Sequence, residues 1–263
     1  MTKKETEDRY RAPALDKGLD ILELLASQPS GMTRSEIVKA MGRSPSEVYR
    51  MVERLVARQY VARSAGGDRY ALSMKLFLLG TAHPPLRRLT SVAQPLMDEF
   101  ASETLQSIHL AAPELGHAVV IAQASSPDNW EFKLRVGAIL NLTTTSSGKT
   151  LLAFQEEERR KALLLDQNSD EDSERDTLSA KLKDELITII NDGYRVFKSA
   201  ELVGVTDISV PVVGIDQNAV TVLTCPYIER VQNEDLTKSQ IDILDVKDKM
   251  IELAEKISIS NGR

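Results

Sequence analysis

Between Thr33 and Glu47 the sequence signals the start of a helix twice, and this narrows the possible folds more than any other feature. Thr33-x-x-Glu36 is a capping box, in which a hydroxyl and a carboxylate reciprocally satisfy backbone N–H groups that the first helical turn leaves unpaired. The helix it opens is expected over 34–41, with Ile37, Val38, Ala40 and Met41 apolar, and Gly42 supplies the left-handed residue that ends it. Ser44-Pro45-Ser46-Glu47 then repeats the signal, with Ser44 as N-cap, Pro45 at N1 and Glu47 at N3. The second helix should run to about Gln59 with Val48, Met51, Val52 and Leu55 on one face. A short helix, a glycine turn and a second capped helix form a helix-turn-helix pattern.

The flanking sequence extends this motif. Residues 14–26 place apolar side chains at Leu15, Leu19, Leu22, Leu25 and Ala26, the period of an amphipathic helix, and Pro29-Ser30-Gly31 stops it. Tyr60–Arg63 and Arg69–Leu72 read as two strands around the turn Ser64–Asp68, a hairpin wing. With Val48, Val52 and Leu55 inward, the outward face of the second helix carries Ser46, Tyr49, Arg50 and Glu53, preceded by Arg43 and Ser44. Hydroxyls, a phenol and guanidinium groups are what reaches base edges and phosphates in a major groove, and Arg63 and Arg69 of the wing are suited to phosphate or the minor groove.

Charge is divided accordingly. Residues 1–90 hold 16 Lys/Arg against 10 Asp/Glu, whereas residues 91–263 hold 17 against 29, so the formal net charge of −6 hides a basic end and an acidic one. The 42% hydrophobic and 27% charged composition is that of a globular chain, and no apolar run approaches the roughly 20 residues that span a bilayer. The first residues, MTKKETEDRYR, lack the apolar stretch of a secretory leader, and Cys225 is the single cysteine. A cytoplasmic protein without membrane partners is expected.

Several segments resemble the IclR-type regulators: Ala14–Leu25, Val48–Val52 and Tyr70–Ser73 in the DNA-binding part, and Leu142–Ala153 in the effector part. Gly193-Tyr194, Gly204-Val205 and Val210-Pro211-Val212 follow in that family's order. The resemblance implies a winged helix-turn-helix, a linker helix and a GAF-like α/β effector domain, with homodimers or homotetramers on palindromic operator DNA. On family grounds a repressor is expected. It also implies that the backbone amides of Ser146 and Ser147 contact a small carboxylate, with Asp207 and Thr224 lining the pocket and Cys225 adjacent. Asn141, Thr143 and Thr224-Cys225-Pro226 depart from the family's usual residues, so no particular effector carries over.

The expected organisation is α+β: residues 1–72 a DNA-binding winged helix-turn-helix, 73–85 a linker helix and hinge, and 86–263 an effector domain with an antiparallel sheet. Residues 73–81 are largely apolar, which favours packing against a second subunit, and His83-Pro84-Pro85 marks the hinge. Helices are expected at 87–105, 149–165, 176–192 and 236–257, and strands at 107–112, 118–124, 131–136, 207–213 and 219–224. Five consecutive hydroxyl residues, Thr143–Ser147, lead into Gly148-Lys149 at a helix start, where the dipole and free N–H groups favour a carboxylate or phosphate. Thr145, Ser146 and Ser147 are therefore candidate effector ligands alongside Asp207, Thr224 and Cys225.

Ser147-Gly148-Lys149-Thr150 also copies the end of a P-loop, which raises a nucleotide-binding alternative; Thr143 stands where that motif needs its first glycine. An architectural DNA-binder without a sensor is a second alternative. No Gly-x-Ser-x-Gly elbow is present, and His83, His109 and His117 lack zinc spacing, so neither catalysis nor a cofactor or metal is expected.

Overall fold

The computed structural model describes residues 12–128, 132–167, 179–229 and 241–260. The chain divides into two compact units, Met1–Pro84 and Pro85–Arg263.

The N-terminal unit opens with α1 (Pro13–Ala26), started by its proline and buried along Ile21 and Leu25. Leu15 and Leu19 are 61% and 48% exposed, so the inward stripe is narrower than the sequence period suggests. After Gly31 come β1 (Met32–Thr33), α2 (Arg34–Met41) and α3 (Pro45–Ala57). The α2 capping box forms as expected: Thr33 Oγ1 accepts from the Glu36 N–H at 3.3 Å, and the Thr33 N–H donates to Glu36 Oε2 at 2.7 Å. Gly42 ends the helix at φ 58°.

The expected box at Ser44 does not form. Ser44 is the N-cap residue of α3 but makes no side-chain cap bond; its hydroxyl donates to Glu47 Oε2 at 2.9 Å. Lys17 on α1 holds the other Glu47 oxygen at 2.7 Å, which ties α1 to α3.

The wing consists of β2 (Val61–Arg63) and β3 (Arg69–Leu72), and β1 adds to the far edge of β3 in the order β1-β3-β2. Gly31 is required beside it, since a Cβ there would lie 2.5 Å from the Tyr70 carbonyl oxygen. Ile21, Leu25, Ile37, Val48, Val52, Val61 and Tyr70 form the core. α4 (Lys75–Ala82) follows with no buried residue, leaving Leu76, Phe77, Leu78 and Leu79 exposed.

The C-terminal unit is built on α5 (Pro84–Thr104), β4 (Ile108–Glu114), β5 (His117–Ala124) and β6 (Ile139–Asn141). Next come α6 (Ser146–Ala153), α7 (Glu157–Gln167) and α8 (Ala180–Asp192). β7 (Arg195–Lys198), β8 (Val205–Val213), β9 (Ala219–Ile228) and α9 (Ile243–Ser260) complete it. The six strands form an antiparallel sheet in the order β6-β5-β4-β9-β8-β7. Strand alternation divides the side chains between two cores. Leu110, Ile208, Val210, Leu223 and Cys225 pack with α5 and α9, while Ala111, Val120 and Val222 pack with α6 and α8.

Four details differ from the sequence reading. Residues 132–135 are irregular and the strand expected over 131–136 lies instead at Ile139–Asn141, beyond a turn with Gly137 at φ 84°; Glu131 lies outside the described residues. The helix expected over 149–165 is two, α6 and α7. The carbonyls at its break are satisfied from outside α6: Arg160 donates to the Leu152, Ala153 and Gln155 carbonyls, and the Ala219 N–H donates to the Phe154 carbonyl at 2.7 Å. The helix expected from residue 87 starts at Pro84, directly after His83, and the division between the two units falls at Pro84/Pro85. β7 was not anticipated. The first residues of two expected helices, 176–178 and 236–240, lie outside the described residues.

Candidate DNA interface and ligand pocket

In the N-terminal unit, packing Val48 and Val52 inward turns the first turns of α3 outward. Arg43, Ser44, Ser46, Tyr49 and Arg50 are all exposed, as the sequence pattern implies. The Arg34 guanidinium lies 5.2 Å from the centre of the Tyr49 ring, which steadies that ring on the surface.

The wing arginines are tied into the fold. Arg63 Nε donates to the Tyr70 hydroxyl at 3.0 Å, and its Nη2 reaches Glu53 at 3.1 Å. Arg34 joins the same pair, with Nε 2.6 Å from the Tyr70 hydroxyl and Nη2 on Glu53. Bonding to the phenol raises the Arg34 pKa above its usual value, and Glu53 adds to this. Glu53, placed outward by helical spacing, thus braces α3 against α2 and the wing. Arg69 donates to the Ser30 and Gly31 carbonyls, both at 3.1 Å. Arg63 and Arg69 each keep 41% of their side chains exposed.

In the C-terminal unit the segment before α6 is locked by Asn141, whose Oδ1 accepts from the N–H groups of Thr143 and Thr144 at 2.8 and 3.0 Å. Thr145 is the N-cap: its hydroxyl donates to the Asn141 carbonyl at 2.7 Å and accepts from the Gly148 N–H at 3.1 Å. The Thr145 hydroxyl is therefore spent on the cap. Ser146 and Ser147 follow at the positions whose N–H groups have no intrahelical acceptor.

Gly148 serves packing and does not cradle phosphate. A Cβ there would sit 2.4 Å from both the Asn141 carbonyl oxygen and the Leu142 Cα. Lys149 bonds Glu185 on α8 at 2.7 Å, and Arg195 reaches the same oxygen at 3.2 Å. The P-loop-like string thus lacks both features on which phosphate binding depends.

The α6 N-terminus opens onto a cavity enclosing about 440 Å³ of empty space, solvent at its mouth included. Its polar wall contains His109, Thr145, Ser146, Ser147, Asp207 and Thr224, and its apolar wall Phe132, Leu134 and Leu140. The sheet explains this convergence: His109, Asp207, Ser209 and Thr224 alternate with core residues on three adjacent strands and project toward α6. Cys225 projects the other way. It is fully buried in the α5/α9 core, with its thiol pKa pushed up by burial and by Asp207, so it is not part of the pocket wall.

The hydroxyls form a chain: Ser209 to Thr224 at 2.9 Å, Thr224 to Ser147 at 2.9 Å, and Ser147 to His109 Nε2 at 3.3 Å. Burial pushes the His109 pKa down to about 4, so its ring is neutral near pH 7, and Nδ1 has no partner among the described residues. Burial raises the Asp207 carboxyl above the ordinary range, against bonds from the Ser146 and Ser199 hydroxyls; Glu201 raises it further and Arg195 opposes.

Sequence reasoning missed His109, which it weighed only as a zinc ligand, together with Ser199 and Glu201. The strand alternation that places Asp207 and Thr224 would have placed His109; Ser199 and Glu201 follow the unanticipated β7. Among the described residues there is no helix long and apolar enough to cross a membrane and no group of His, Cys, Asp and Glu able to hold a metal ion.

Residues 14–65 match the family model of the IclR helix-turn-helix domain, and residues 86–258 that of the bacterial transcriptional regulator IclR C-terminal domain. The chain is similar to the HTH-type transcriptional regulator KdgR of Escherichia coli K12, 29% identical with 74% of each chain covered. It is also similar to the DNA-binding transcriptional repressor YiaJ of the same organism, 25% identical over 82% of this chain and 80% of that one. An IclR homologue from Microbacterium hydrocarbonoxydans, solved in complex with 4-hydroxybenzoate, shares the fold at a TM-score of 0.74 and 21% identity, covering 94% of this chain and 98% of that one. The chain belongs to the IclR family of bacterial transcriptional regulators.

Proposed function

We propose that this regulator is a cytoplasmic repressor that binds operator DNA through α3 and the wing, and whose DNA affinity is set by a small carboxylate in the C-terminal cavity. The observation that carries this reading is that cavity. It lies where the first-turn amides of α6, Asp207 and a neutral buried His109 converge. A carboxylate is the group that unpaired helix N-terminal N–H donors recognise. Support also comes from the relatives: one is named a repressor, and one of the same fold holds a hydroxylated monocarboxylate. No catalytic step is assigned to the chain.

In this account Arg43, Ser44, Ser46, Tyr49 and Arg50 contact the major groove, and the exposed parts of Arg63 and Arg69 contact phosphates. Residues 1–72 bind DNA, 73–85 link, and 86–263 sense. The apolar surface of α4 is covered by a second copy, so the binding unit is a dimer or tetramer on two half-sites. Gel shift and footprinting on the region upstream of the chain's own gene, with sedimentation velocity on the free and bound protein, test this. Two protected half-sites bound by an even number of chains are expected. A monomer that binds one half-site with full affinity contradicts it.

A further inference from the structure

We propose that the cavity selects an α-amino acid with an apolar side chain: its carboxylate on the Ser146–Ser147 turn, its ammonium between Asp207 and Glu201, and its side chain against Phe132, Leu134 and Leu140. This rests on the reading of the cavity as the effector site.

The charge of the wall carries the inference. Asp207 and Glu201 both line the cavity, and among the described residues no Lys or Arg does. Arg195, which acts on Asp207 less than Glu201 does, is paired with Glu185 at 3.2 Å. His109 lines the cavity but adds no positive charge, since burial holds its ring neutral; the residue is 3% exposed, and its Nδ1 has no partner among the described residues. A half-buried carboxylate beside a second one is poorly compensated by a hydroxyl, whereas an ammonium forms charge-assisted hydrogen bonds to both.

The two poles must be close in the ligand. Ser146 and Asp207 line the cavity together and the Ser146 side chain favours the ionised Asp207, so the acceptor of the ammonium sits near the turn that offers amides to the carboxylate. A carboxylate and an ammonium separated by one carbon meet that requirement, and a terminal amine on a long chain does not. Polyols are disfavoured, because the hydroxyls of Ser147, Thr224 and Ser209 already satisfy one another and Thr145 is committed to its cap. A dicarboxylate would bring a second negative charge to Asp207.

The test is isothermal titration of the full-length chain with matched pairs that differ only in the α-substituent: L-alanine and L-lactate, L-valine and L-2-hydroxyisovalerate, L-leucine and L-2-hydroxyisocaproate, L-phenylalanine and L-phenyllactate. Succinate and L-malate complete the panel. At least one amino acid should bind about tenfold or more tightly than its hydroxy partner, the scale of one charge-assisted hydrogen bond. Asp207→Asn should level that pair and improve L-malate. Glu201→Gln, at an exposed position, should narrow the preference a few-fold and remains informative if Asp207→Asn does not fold. If hydroxy acids or dicarboxylates bind as well as the amino acids or better, the amino-acid assignment falls and the sensor reading stands. If no compound in the panel binds, both fall.

Discussion

Replacing His109 with Gln removes a buried ionisable ring while keeping an amide in reach of the Ser147 hydroxyl, and it tests how the pocket floor contributes to stability. Burial places the His109 pKa at about 4, against about 6.5 for an unperturbed histidine. Because the folded-state value is the lower one, the unfolded chain binds the extra proton between these limits. Stability is therefore fully present above about pH 6.5 and is lost as pH falls toward about 4. The depression of roughly 2.5 units corresponds to about 3 kcal/mol in total, of which about 2 kcal/mol should be lost by about pH 5. Urea melts followed by circular dichroism at several pH values between about 7.5 and 4.5 measure this for both proteins. The wild-type-minus-variant difference cancels contributions from other carboxylates and from the DNA-binding unit. The variant should lose stability less steeply on acidification, by about 2 kcal/mol at about pH 5. Parallel stability curves would mean that His109 is hydrated, and the neutral-ring description of the pocket would be wrong.

Other substitutions probe separate links. Gly148→Ala drives a methyl into the backbone of 141–142 and should cost about 1–3 kcal/mol or more, lowering the melting midpoint and abolishing the ligand response together; an unchanged midpoint would refute the close approach. Thr33→Ala should cost about 1 kcal/mol, and Ser44→Ala clearly less, because only Thr33 makes a side-chain cap bond; equal losses would contradict this difference. Arg50→Ala should weaken operator binding by about 1–3 kcal/mol while leaving random duplex nearly unaffected, and a uniform loss would make Arg50 a phosphate contact.

The DNA-binding unit was legible because its signals are local. The Thr33/Glu36 box, Gly42, Pro45 and the turn at Ser64–Asp68 each act within a few residues, and the helices and hairpin follow them. The break between α6 and α7 within an otherwise helical pattern depends in part on a partner far away in sequence: the Ala219 N–H takes the Phe154 carbonyl, while Arg160 on the next helix takes three others. The pocket was half legible. The hydroxyl run marked Ser146 and Ser147, but which strand residues share their side of the sheet depends on register. Register sets Thr224 opposite His109 and turns Cys225 into the other core. The acidic character of this cavity depends in part on Glu201, in a loop that follows the unanticipated strand β7.

Coupling between the cavity and DNA binding is tested most directly by fluorescence anisotropy of a labelled operator duplex, titrated with the wild type and with Ser147→Phe in the presence and absence of the amino and hydroxy acid panel. Ser147 is 3% exposed and lines the cavity, so a phenyl group at this position occupies the ligand's place. The account predicts that both proteins bind the duplex with similar affinity alone, and that at least one compound shifts the wild-type curve several-fold while leaving Ser147→Phe unmoved. A wild-type curve that no compound shifts, or a shift that survives in Ser147→Phe, would contradict it.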